Sequence, residues 1–365
     1  MADHQFYNLK VKSITPETKD AVTVEFEVPQ DLKDKFDYEP GQYLTLKFDL
    51  KGQKARRAYS MCSSPVEDHL AVTVKEVKNG LVSTHINRNL SVGQSVESMR
   101  PDGRFVAKTN PAASKTYYLF GAGSGITPLM SIIKSVLEDE PKSTVFLLYG
   151  NRNEETIIFE EKLKELERRY SGQLFVEHIL SQPKKVKGKG WFAKSKVTWT
   201  GKVGRIKARL VKDFLKEHPK RDEIAEYYIC GPSNMIESIN RTLENIPEVN
   251  NEYIHVEYFS SASSRASKSV NEALGAAATV HLNGETVEVE VPAGKTILDA
   301  LVSEGYDPPY SCTSGACSTC LAKTLRGELK MDVYYAIDEE EVEEGYILTC
   351  QAHPTTQEVE VTFEV

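Results

Sequence analysis

Four cysteines near the end of this 365-residue sequence have the spacing of a metal-binding set. Cys312, Cys317 and Cys320 are separated by four and then two residues, and Cys350 follows after 29 more. Thiolates bind soft metals, as zinc or as the irons of an iron–sulfur cluster. Structural zinc sites usually take their ligands from two short pairs, and one long loop with a distant fourth cysteine does not match that arrangement. The spacing is therefore less typical of zinc than of an iron–sulfur cluster, and a set of buried free thiols is the remaining alternative.

The loop around the first three cysteines is built from small residues such as Ser314, Gly315 and Ala316. Small side chains let the chain wrap around two irons and leave backbone N–H groups free to donate to sulfur, which influences the reduction potential. The spacing resembles that of plant-type [2Fe–2S] ferredoxins. This resemblance predicts an α+β ferredoxin domain of the β-grasp type over residues 279–365. The expected cluster ligands are Cys312, Cys317, Cys320 and Cys350.

The remaining length and composition indicate a multidomain protein that is not embedded in a membrane. A chain of 365 residues is expected to form two or three domains. The sequence contains no run of 18 apolar residues, so no membrane span is predicted. The first residues lack the pattern of a secretory signal. Two cysteines, Cys62 and Cys230, remain outside the cluster set, which is too few for a disulfide framework. A reducing, cytoplasmic location is therefore expected.

Charge is distributed unevenly along the chain. Residues 279–365 carry 17 acidic and 4 basic side chains, a net charge of −13. Because the whole chain carries −8, residues 1–278 carry +5. This asymmetry suggests electrostatic docking between the domains, or of the ferredoxin domain on a basic partner. An acidic surface that only keeps a small domain soluble is the alternative interpretation.

The first domain, residues 1–110, is expected to be an antiparallel β-barrel. Short alternating runs recur at Ala21–Val28, Tyr43–Phe48 and Leu70–Val77, and glycine, proline and asparagine turns separate them. Several short strands with this spacing are typical of a small antiparallel barrel.

Three motifs in this domain occur in the order known from flavin-binding reductases. Arg57-Ala58-Tyr59-Ser60 ends one strand, Val74-Lys75 ends the next, and Gly80-Leu81-Val82-Ser83 begins a short helix. Together they resemble the flavin-binding motifs of the ferredoxin–NADP reductase superfamily. The resemblance implies that Arg57 neutralises a flavin phosphate, that Tyr59 lies against the isoalloxazine, and that Ser60 donates near N5. It also implies that the helix start receives the phosphates, because its unpaired N–H groups favour anions. FAD is expected rather than FMN.

The second domain, residues 111–259, alternates strands with helices, which predicts a doubly wound parallel sheet with ligand at the carboxyl ends of its strands. Thr116–Phe120 is a continuous apolar strand, as expected when both faces of a strand are covered. It leads into a glycine-rich turn, with Pro128 expected at the first helical position. A strand, a glycine-rich turn and a helix in succession favour phosphate binding.

The turns of this domain resemble the pyridine-nucleotide site of the same superfamily. Arg152 follows the second strand, and no acidic residue stands at the end of that strand to bind the ribose hydroxyls of NADH. Arg152 is therefore expected to bind a 2′-phosphate, so that NADPH is favoured over NADH. A surface ion pair is the alternative role for Arg152. Cys230 is expected beside the nicotinamide, with a buried core residue as the alternative. The expected nucleotide contacts are Gly121, Gly123, Ser124, Gly125, Thr127, Pro128, Asn151, Arg152, Cys230, Gly231, Pro232 and Met235.

The resemblance also implies a small set of catalytic residues. The nucleotide domain closes on Val256-Glu257-Tyr258-Phe259, where Glu257 and Phe259 correspond to the acidic and aromatic residues found near the flavin in this superfamily. Ser60, Cys230 and Glu257 are therefore the expected catalytic residues. No motif for a nucleophile or general base acting on a carbon substrate is present.

Two segments are not explained by the superfamily pattern. Residues 184–205 contain eight basic and no acidic residues, with Trp191, Phe192 and Trp199 among them. Nucleic-acid binding is not expected beside redox motifs, which leaves docking of an acidic surface or a solvated loop. Residues 260–278 are rich in serine and alanine and are expected to form a flexible linker.

The combined motifs predict an electron-transfer reductase in which electrons pass from NADPH to flavin, to the cluster and then to a partner. The C-terminal position of the ferredoxin domain, together with the motifs at residues 57–60, 121–128, 149–152 and 230–232, resembles the reductase components of phenylacetyl-CoA oxygenases (epoxidases). This resemblance implies a di-iron oxygenase as the acceptor. The reductase component of another aromatic-ring oxygenase or hydroxylase is the first alternative. A redox-sensing binding module that does not turn over is the second.

Overall fold

The computed structural model describes residues 5–50, 52–186, 196–259 and 274–365. These residues form two compact units. The larger unit contains most of the first two predicted domains, and the smaller contains the described residues from Tyr258 onward together with Gln5 and Arg56–Ala58. No helix in the described part of the chain is long and apolar enough to cross a membrane.

Alternating apolar side chains build the antiparallel sheet of the first domain. In β1, Tyr7, Leu9 and Val11 are buried while the residues between them are exposed, as expected for a strand with one face on a core. The sheet has the order β4-β3-β6-β1-β2-β5, and a bridge between Met61 and Val72 brings its two edge strands together. The predicted barrel is therefore confirmed. Its strands are β1 Tyr7–Thr18, β2 Ala21–Glu27, β3 Tyr43–Leu50, β4 Gln53–Ser60, β5 Leu70–Lys75 and β6 Ser95–Ser98, with a 3-10 helix at Gln30–Lys35 and α1 at Leu81–Arg88.

The second domain contains the predicted parallel sheet, in the order β12-β9-β8-β7-β13-β14. Its strand β7 is buried from Thr116 to Gly121, which explains why the sequence shows no alternation there. The strands are β7 Lys115–Ala122, β8 Thr144–Asn151, β9 Leu174–Leu180, β12 Lys202–Val203, β13 Ile224–Gly231 and β14 Ile254–Tyr258. The helices are α2 Ile126–Asp139, α3 Glu160–Arg169, α4 Ala208–Glu217 and α5 Ser233–Glu244, with 3-10 turns at Gly123–Gly125, Glu154–Thr156 and Asn251–Tyr253.

Two turns at the carboxyl edge of this sheet touch through their backbones. In the register of β13 and β7, Cys230 lies opposite Gly121. A Cβ atom on Gly125 would lie only 2.2 Å from the carbonyl oxygen of Cys230 and 2.8 Å from the nitrogen of Gly231. The turn after β7 and the turn after β13 can therefore approach this closely only because Gly125 has no side chain.

The smaller unit is an α+β ferredoxin-like domain of the predicted β-grasp type, with a five-stranded sheet in the order β16-β15-β21-β17-β19. Thr296 and Asp299 form a reciprocal capping box at the start of α6, which fixes where that helix begins. Its strands are β15 Ala276–Leu282, β16 Glu285–Val291, β17 Leu321–Arg326, β18 Leu329–Met331, β19 Tyr346–Leu348, β20 Ala352–Pro354 and β21 Glu358–Thr362, and its helices are α6 Ile297–Ser303 and α7 Glu339–Glu343.

The boundaries differ from the sequence prediction at two places. Helix α2 begins at Ile126, so that Pro128 is its third residue and not its first; the position is tolerated because the first four N–H groups of a helix have no intrahelical acceptor. Strand β15 begins at Ala276, so residues 276–278 belong to the sheet and not to the linker. Small alanine side chains gave no apolar pattern that would reveal this strand. Residues 260–273 of the predicted linker lie outside the described residues.

Part of the basic segment, residues 184–205, folds onto the second domain. Lys185–Val186 and Lys196–Val197 pair as β10 and β11, and β12 adds a parallel edge to β9. The Lys202 ammonium lies 2.6 Å from carboxylates of both Glu177 and Glu217. This lysine is therefore engaged within its own domain. Residues 187–195, which include Trp191 and Phe192, lie outside the described residues.

The Gly125 contact predicts a specific loss of stability. We expect Gly125→Ala to lower the free energy of unfolding by about 1–3 kcal/mol, the usual cost of forcing an extra carbon into a packed site. Gly275→Ala is the matched control, because its Cβ would meet its nearest neighbours at 3.8 Å; it should change stability by less than about 0.5 kcal/mol. Equal denaturant midpoints for the two variants would contradict this interpretation of the turn contact.

Candidate cofactor sites

Three expected catalytic side chains converge within the larger unit. Ser60 ends β4, Cys230 lies near the end of β13, and Glu257 belongs to β14. The Ser60 hydroxyl donates to Oε2 of Glu257 at 3.3 Å, and the Cys230 thiol lies 3.9 Å from the same oxygen. Ser60 and Cys230 are buried, and Glu257 is partly buried. The structure thus brings together residues that are up to 197 positions apart in the sequence.

Burial keeps this group of side chains neutral near pH 7. Removal of the Glu257 carboxyl from water raises its pKa to about 8, and the contacts with Ser60 and Cys230 offset only part of that effect. Burial and the neighbouring Glu257 also raise the pKa of the Cys230 thiol. Cys230 is therefore a protonated thiol and not a nucleophile. These neutral side chains are suited to orienting the flavin and nicotinamide rings, and Glu257 can hold a proton beside them.

The expected flavin contacts lie on three neighbouring elements of the barrel. Arg57 is exposed on β4, while Tyr59 is partly buried against the barrel core. Val74 is buried at the end of β5, and the ammonium of Lys75 lies 3.8 Å from the carboxylate of Asp20. The guanidinium of Arg57 and the nearby hydroxyls of Tyr59 and Ser60 are hydrogen-bond donors of the kind that fit an anionic flavin nucleotide.

The short helix α1 begins at Leu81, directly after Gly80, as the motif predicts. The buried Ser83 hydroxyl accepts a hydrogen bond from the backbone nitrogen of Val77 at 3.1 Å, so it fixes the loop that precedes the helix. Val82 is buried beneath the same turn. The first N–H groups of the helix have no intrahelical acceptors, as for any helix start, and this favours an anionic group there.

The expected nucleotide contacts gather at the carboxyl edge of the parallel sheet. Both polar atoms of the Asn151 carboxamide are buried without a hydrogen-bond partner among the described residues. Such unpaired polar atoms are costly in a folded protein unless a ligand or water satisfies them. The Tyr149 hydroxyl donates to the carbonyl oxygen of Gly123 at 2.9 Å, which holds the glycine-rich turn against β8. Arg152 follows with an exposed side chain. These observations fit a bound nucleotide.

Other expected contacts have structural roles in the same turns. The Thr127 hydroxyl donates to the carbonyl oxygen of Ser124 at 3.0 Å, within the glycine-rich turn. A Cβ on Gly231 would lie 2.6 Å from the terminal methyl group of Met235 and 3.3 Å from the backbone nitrogen of Ala122, so this turn is closely packed. Pro232 is the N-cap residue of α5. The side chain of Phe259, which was expected near the flavin, is exposed.

The four cysteines of the smaller unit form one set of interacting thiols. The Cys312 thiol interacts with those of Cys317 and Cys350, and Cys350 also interacts with Cys320. Backbone N–H groups point at the sulfurs: the nitrogen of Cys312 donates to Sγ of Cys317 at 3.5 Å, and that of Ser314 donates to Sγ of Cys312 at 3.4 Å. All six cysteines of the chain are free thiols. Four convergent sulfurs with amide donors fit a [2Fe–2S] cluster.

The cluster loop also has a backbone conformation that requires glycine. Gly315 has a φ of +71°, and a Cβ there would lie 2.9 Å from both the carbonyl oxygen and a methyl group of Val333. Its own carbonyl oxygen accepts from the nitrogen of Ala336 at 3.1 Å. The chain therefore wraps the cysteines closely at this point, as the small residues of the loop predicted.

Two residues near the sites had no assigned role in the sequence analysis. Tyr149 holds the glycine-rich turn, but the sequence motif at residues 149–152 assigned no role to this tyrosine. Gln351 donates from its side chain to Sγ of Cys350 at 3.6 Å. Its position directly after a cluster ligand was the only sequence signal that could have identified it.

Family models match three separate stretches of the chain. An oxidoreductase FAD-binding domain matches residues 8–106, an oxidoreductase NAD-binding domain matches 119–241, and a 2Fe-2S iron-sulfur cluster binding domain matches 280–355. These matches confirm the predicted FAD, pyridine-nucleotide and [2Fe–2S] modules and their order.

Curated relatives match over nearly the full length. The chain is 34% identical to one of the subunits of the 1,2-phenylacetyl-CoA epoxidase of Escherichia coli (strain K12), over 98% of this chain and 98% of that protein. It is also 34% identical to the ferredoxin reductase component of a 3-ketosteroid-9-alpha-monooxygenase from Rhodococcus rhodochrous, over 97% and 96% of the two chains.

Among solved structures, phthalate dioxygenase reductase has a similar fold, with a TM-score of 0.63 and 23% identity over 98% of both chains. The expected combination of an antiparallel flavin-binding barrel, a parallel nucleotide-binding domain and a C-terminal ferredoxin domain is thereby confirmed. The chain belongs to the NAD(P)H-dependent oxygenase reductases that join a flavin- and nucleotide-binding module of the ferredoxin–NADP reductase superfamily to a plant-type [2Fe–2S] domain.

Proposed function

We propose that this protein is the NADPH-dependent reductase component of a di-iron oxygenase that acts on phenylacetyl-CoA. The observation that carries the proposal is the end-to-end match to the phenylacetyl-CoA epoxidase relative, in which each chain is covered to 98%. Cys62 and Cys230, the two cysteines outside the cluster set, are free thiols, as is usual for a protein in a reducing, cytoplasmic location.

The side chains of the larger unit suit the first half of this electron transfer. Bound flavin supplies the change from a two-electron hydride donor to single electrons, which a [2Fe–2S] cluster accepts one at a time. Glu257 positions the Ser60 hydroxyl and holds a proton beside it below pH 8. Cys230 presents a neutral thiol and excludes water from the same place. No charged group of this set competes with a bound ring.

A second candidate is the reductase component of a different oxygenase. The 3-ketosteroid monooxygenase relative has the same 34% identity and nearly the same coverage. The motifs that bind cofactors are common to both kinds of reductase, so they do not discriminate between acceptors. Reconstitution with an acceptor is therefore the decisive test.

The acceptor is tested by combining the purified protein with a phenylacetyl-CoA epoxidase oxygenase component, NADPH and phenylacetyl-CoA. We expect epoxide formation coupled to NADPH oxidation. The Cys350→Ser variant should retain flavin reduction by NADPH but lose epoxide formation, because a cluster ligand is missing. Rapid reduction of cytochrome c without epoxide formation would favour another oxygenase, whereas negligible cytochrome c reduction would favour a sensing module.

Cofactor choice is tested at Arg152. The Arg152→Ala variant should raise the KM for NADPH by about one to two orders of magnitude, because each charge-assisted hydrogen bond to a 2′-phosphate contributes about 1.5–3 kcal/mol. The KM for NADH should remain nearly unchanged. Arg169→Ala is the matched control, since this exposed arginine is paired with Glu138 on the helix surface. Equal increases in KM for both nucleotides would exclude a role in 2′-phosphate recognition.

The raised pKa of Glu257 predicts how stability depends on pH. Because its carboxyl has a pKa of about 8 in the folded chain and an ordinary value of 4.5 when unfolded, the folded flavin-free protein binds more protons between these values. Glu257 therefore contributes stability that is fully present below pH 4.5 and is lost as the pH rises through 8. Glu257→Gln should flatten this decline when denaturant midpoints are compared between pH 5 and pH 9.

Glu252→Gln is the matched control for that experiment, because Glu252 is exposed in the 3-10 turn before the same strand. It should keep the wild-type pH dependence. A wild-type slope in Glu257→Gln would show that another group is responsible.

A further inference from the structure

Gln351 is the residue after the fourth cluster ligand, and its side chain is turned back toward that ligand. It is 8% exposed. Its amide nitrogen, Nε2, lies 2.8 Å from the carbonyl oxygen of Cys350, 3.3 Å from that of Thr313 and 3.6 Å from Sγ of Cys350. An amide nitrogen has two hydrogens, so one can be shared between the two carbonyl oxygens while the other is directed to the sulfur.

The surroundings of Gln351 fix this orientation. Its backbone nitrogen donates to the carbonyl oxygen of Leu348 at 2.8 Å, and its carbonyl oxygen accepts from the nitrogen of Asp332 at 3.1 Å. Its Cγ atom would lie 3.1 Å from a Cβ on Gly315, so the side chain occupies the space that this glycine leaves open. The amide is therefore held in place before any cluster is bound.

Gln351 is a side-chain donor to a ligand sulfur. Backbone nitrogens donate to Cys312 and Cys317, which any loop of this shape would provide, and the side chains of Ser314 and Thr319 also interact with these two sulfurs. The donor to Cys350 is a side chain, so its presence depends on the residue type at position 351. The amide also reaches across 38 positions to Thr313, inside the loop of the first three cysteines.

We propose that Gln351 is a positioning residue that raises the reduction potential of the [2Fe–2S] cluster through its N–H donor to Sγ of Cys350. Reduction adds one negative charge to the cluster, and an N–H dipole aimed at a ligand sulfur stabilises the reduced form more than the oxidised form. The contact with Thr313 ties the fourth ligand to the loop that holds the other three. This inference deepens the electron-transfer function and depends on the cluster domain, not on the choice of NADPH or of the acceptor.

The test is a spectroelectrochemical titration of the full-length holoprotein, with iron and flavin counted in each sample. Gln351→Leu should favour the oxidised cluster by about threefold to tenfold, which is a potential lower by about 30–60 mV at 59 mV per factor of ten. Thr349→Val is the matched control. Thr349 is also buried, on the other side of Cys350 in the sequence, but its hydroxyl donates to the carbonyl oxygen of Cys320 and not to a sulfur.

The proposal predicts different reduction potentials for the two variants. A lower potential in Gln351→Leu with an unchanged potential in Thr349→Val supports it. An unchanged potential in Gln351→Leu with a full iron count overturns it, and so does an equal shift in both variants, which would indicate a general loss of packing. Since no acceptor is present in the titration, neither result bears on the proposed oxygenase.

A second measurement needs no variant and covers the case in which Gln351→Leu does not assemble a cluster. Wild-type protein labelled with ¹⁵N in glutamine side chains is reduced with dithionite and studied by pulsed electron paramagnetic resonance. A ¹⁵N hyperfine coupling at the reduced cluster is expected from an amide bonded to a ligand sulfur. Its absence would overturn the proposal.

Discussion

The nucleotide half of this protein depends on a place where two backbones touch without a side chain between them. Gly125, in the turn after β7, is in contact with the peptide group that joins Cys230 to Gly231. These two turns are more than 100 residues apart in the sequence, yet the parallel register of β7 and β13 brings them to one edge. Because the contact involves main-chain atoms, it fixes both turns, and with them the direction in which Cys230 can point.

The Cys230 side chain lies near Glu257, in a group of side chains that burial keeps uncharged. Ser60, Cys230 and Glu257 come from separate strands, and burial raises the pKa values of the thiol and the carboxyl, which keeps both neutral. The cysteine loop of the smaller unit follows the opposite rule. There, N–H groups from the backbone and from Gln351 are directed to the sulfurs, an arrangement that suits thiolates bound to iron. The chain therefore uses burial to keep one site uncharged and N–H donors to stabilise negative charge at the other.

The sequence alone was sufficient for features that repeat in a fixed pattern. The cysteine spacing, the glycine-rich turn and the alternation of apolar residues predicted the three modules, because each reflects a local geometric requirement. Contacts between distant segments were not predictable from these patterns. The unpaired carboxamide of Asn151, the hydrogen bond from Gln351 to Thr313 and the edge strand formed by Lys202–Val203 arise from tertiary packing. The start of β15 was also missed, because alanines in a strand resemble alanines in a linker.

The order of strands in the ferredoxin-like sheet has a consequence for how this protein is made. Strand β21 lies in the middle of the sheet, parallel to β15 and antiparallel to β17, although it is the last of the five in the sequence. All four cysteines are therefore translated before the strand that completes their support. The cluster domain cannot reach its folded form while residues 358–362 are still within the ribosome.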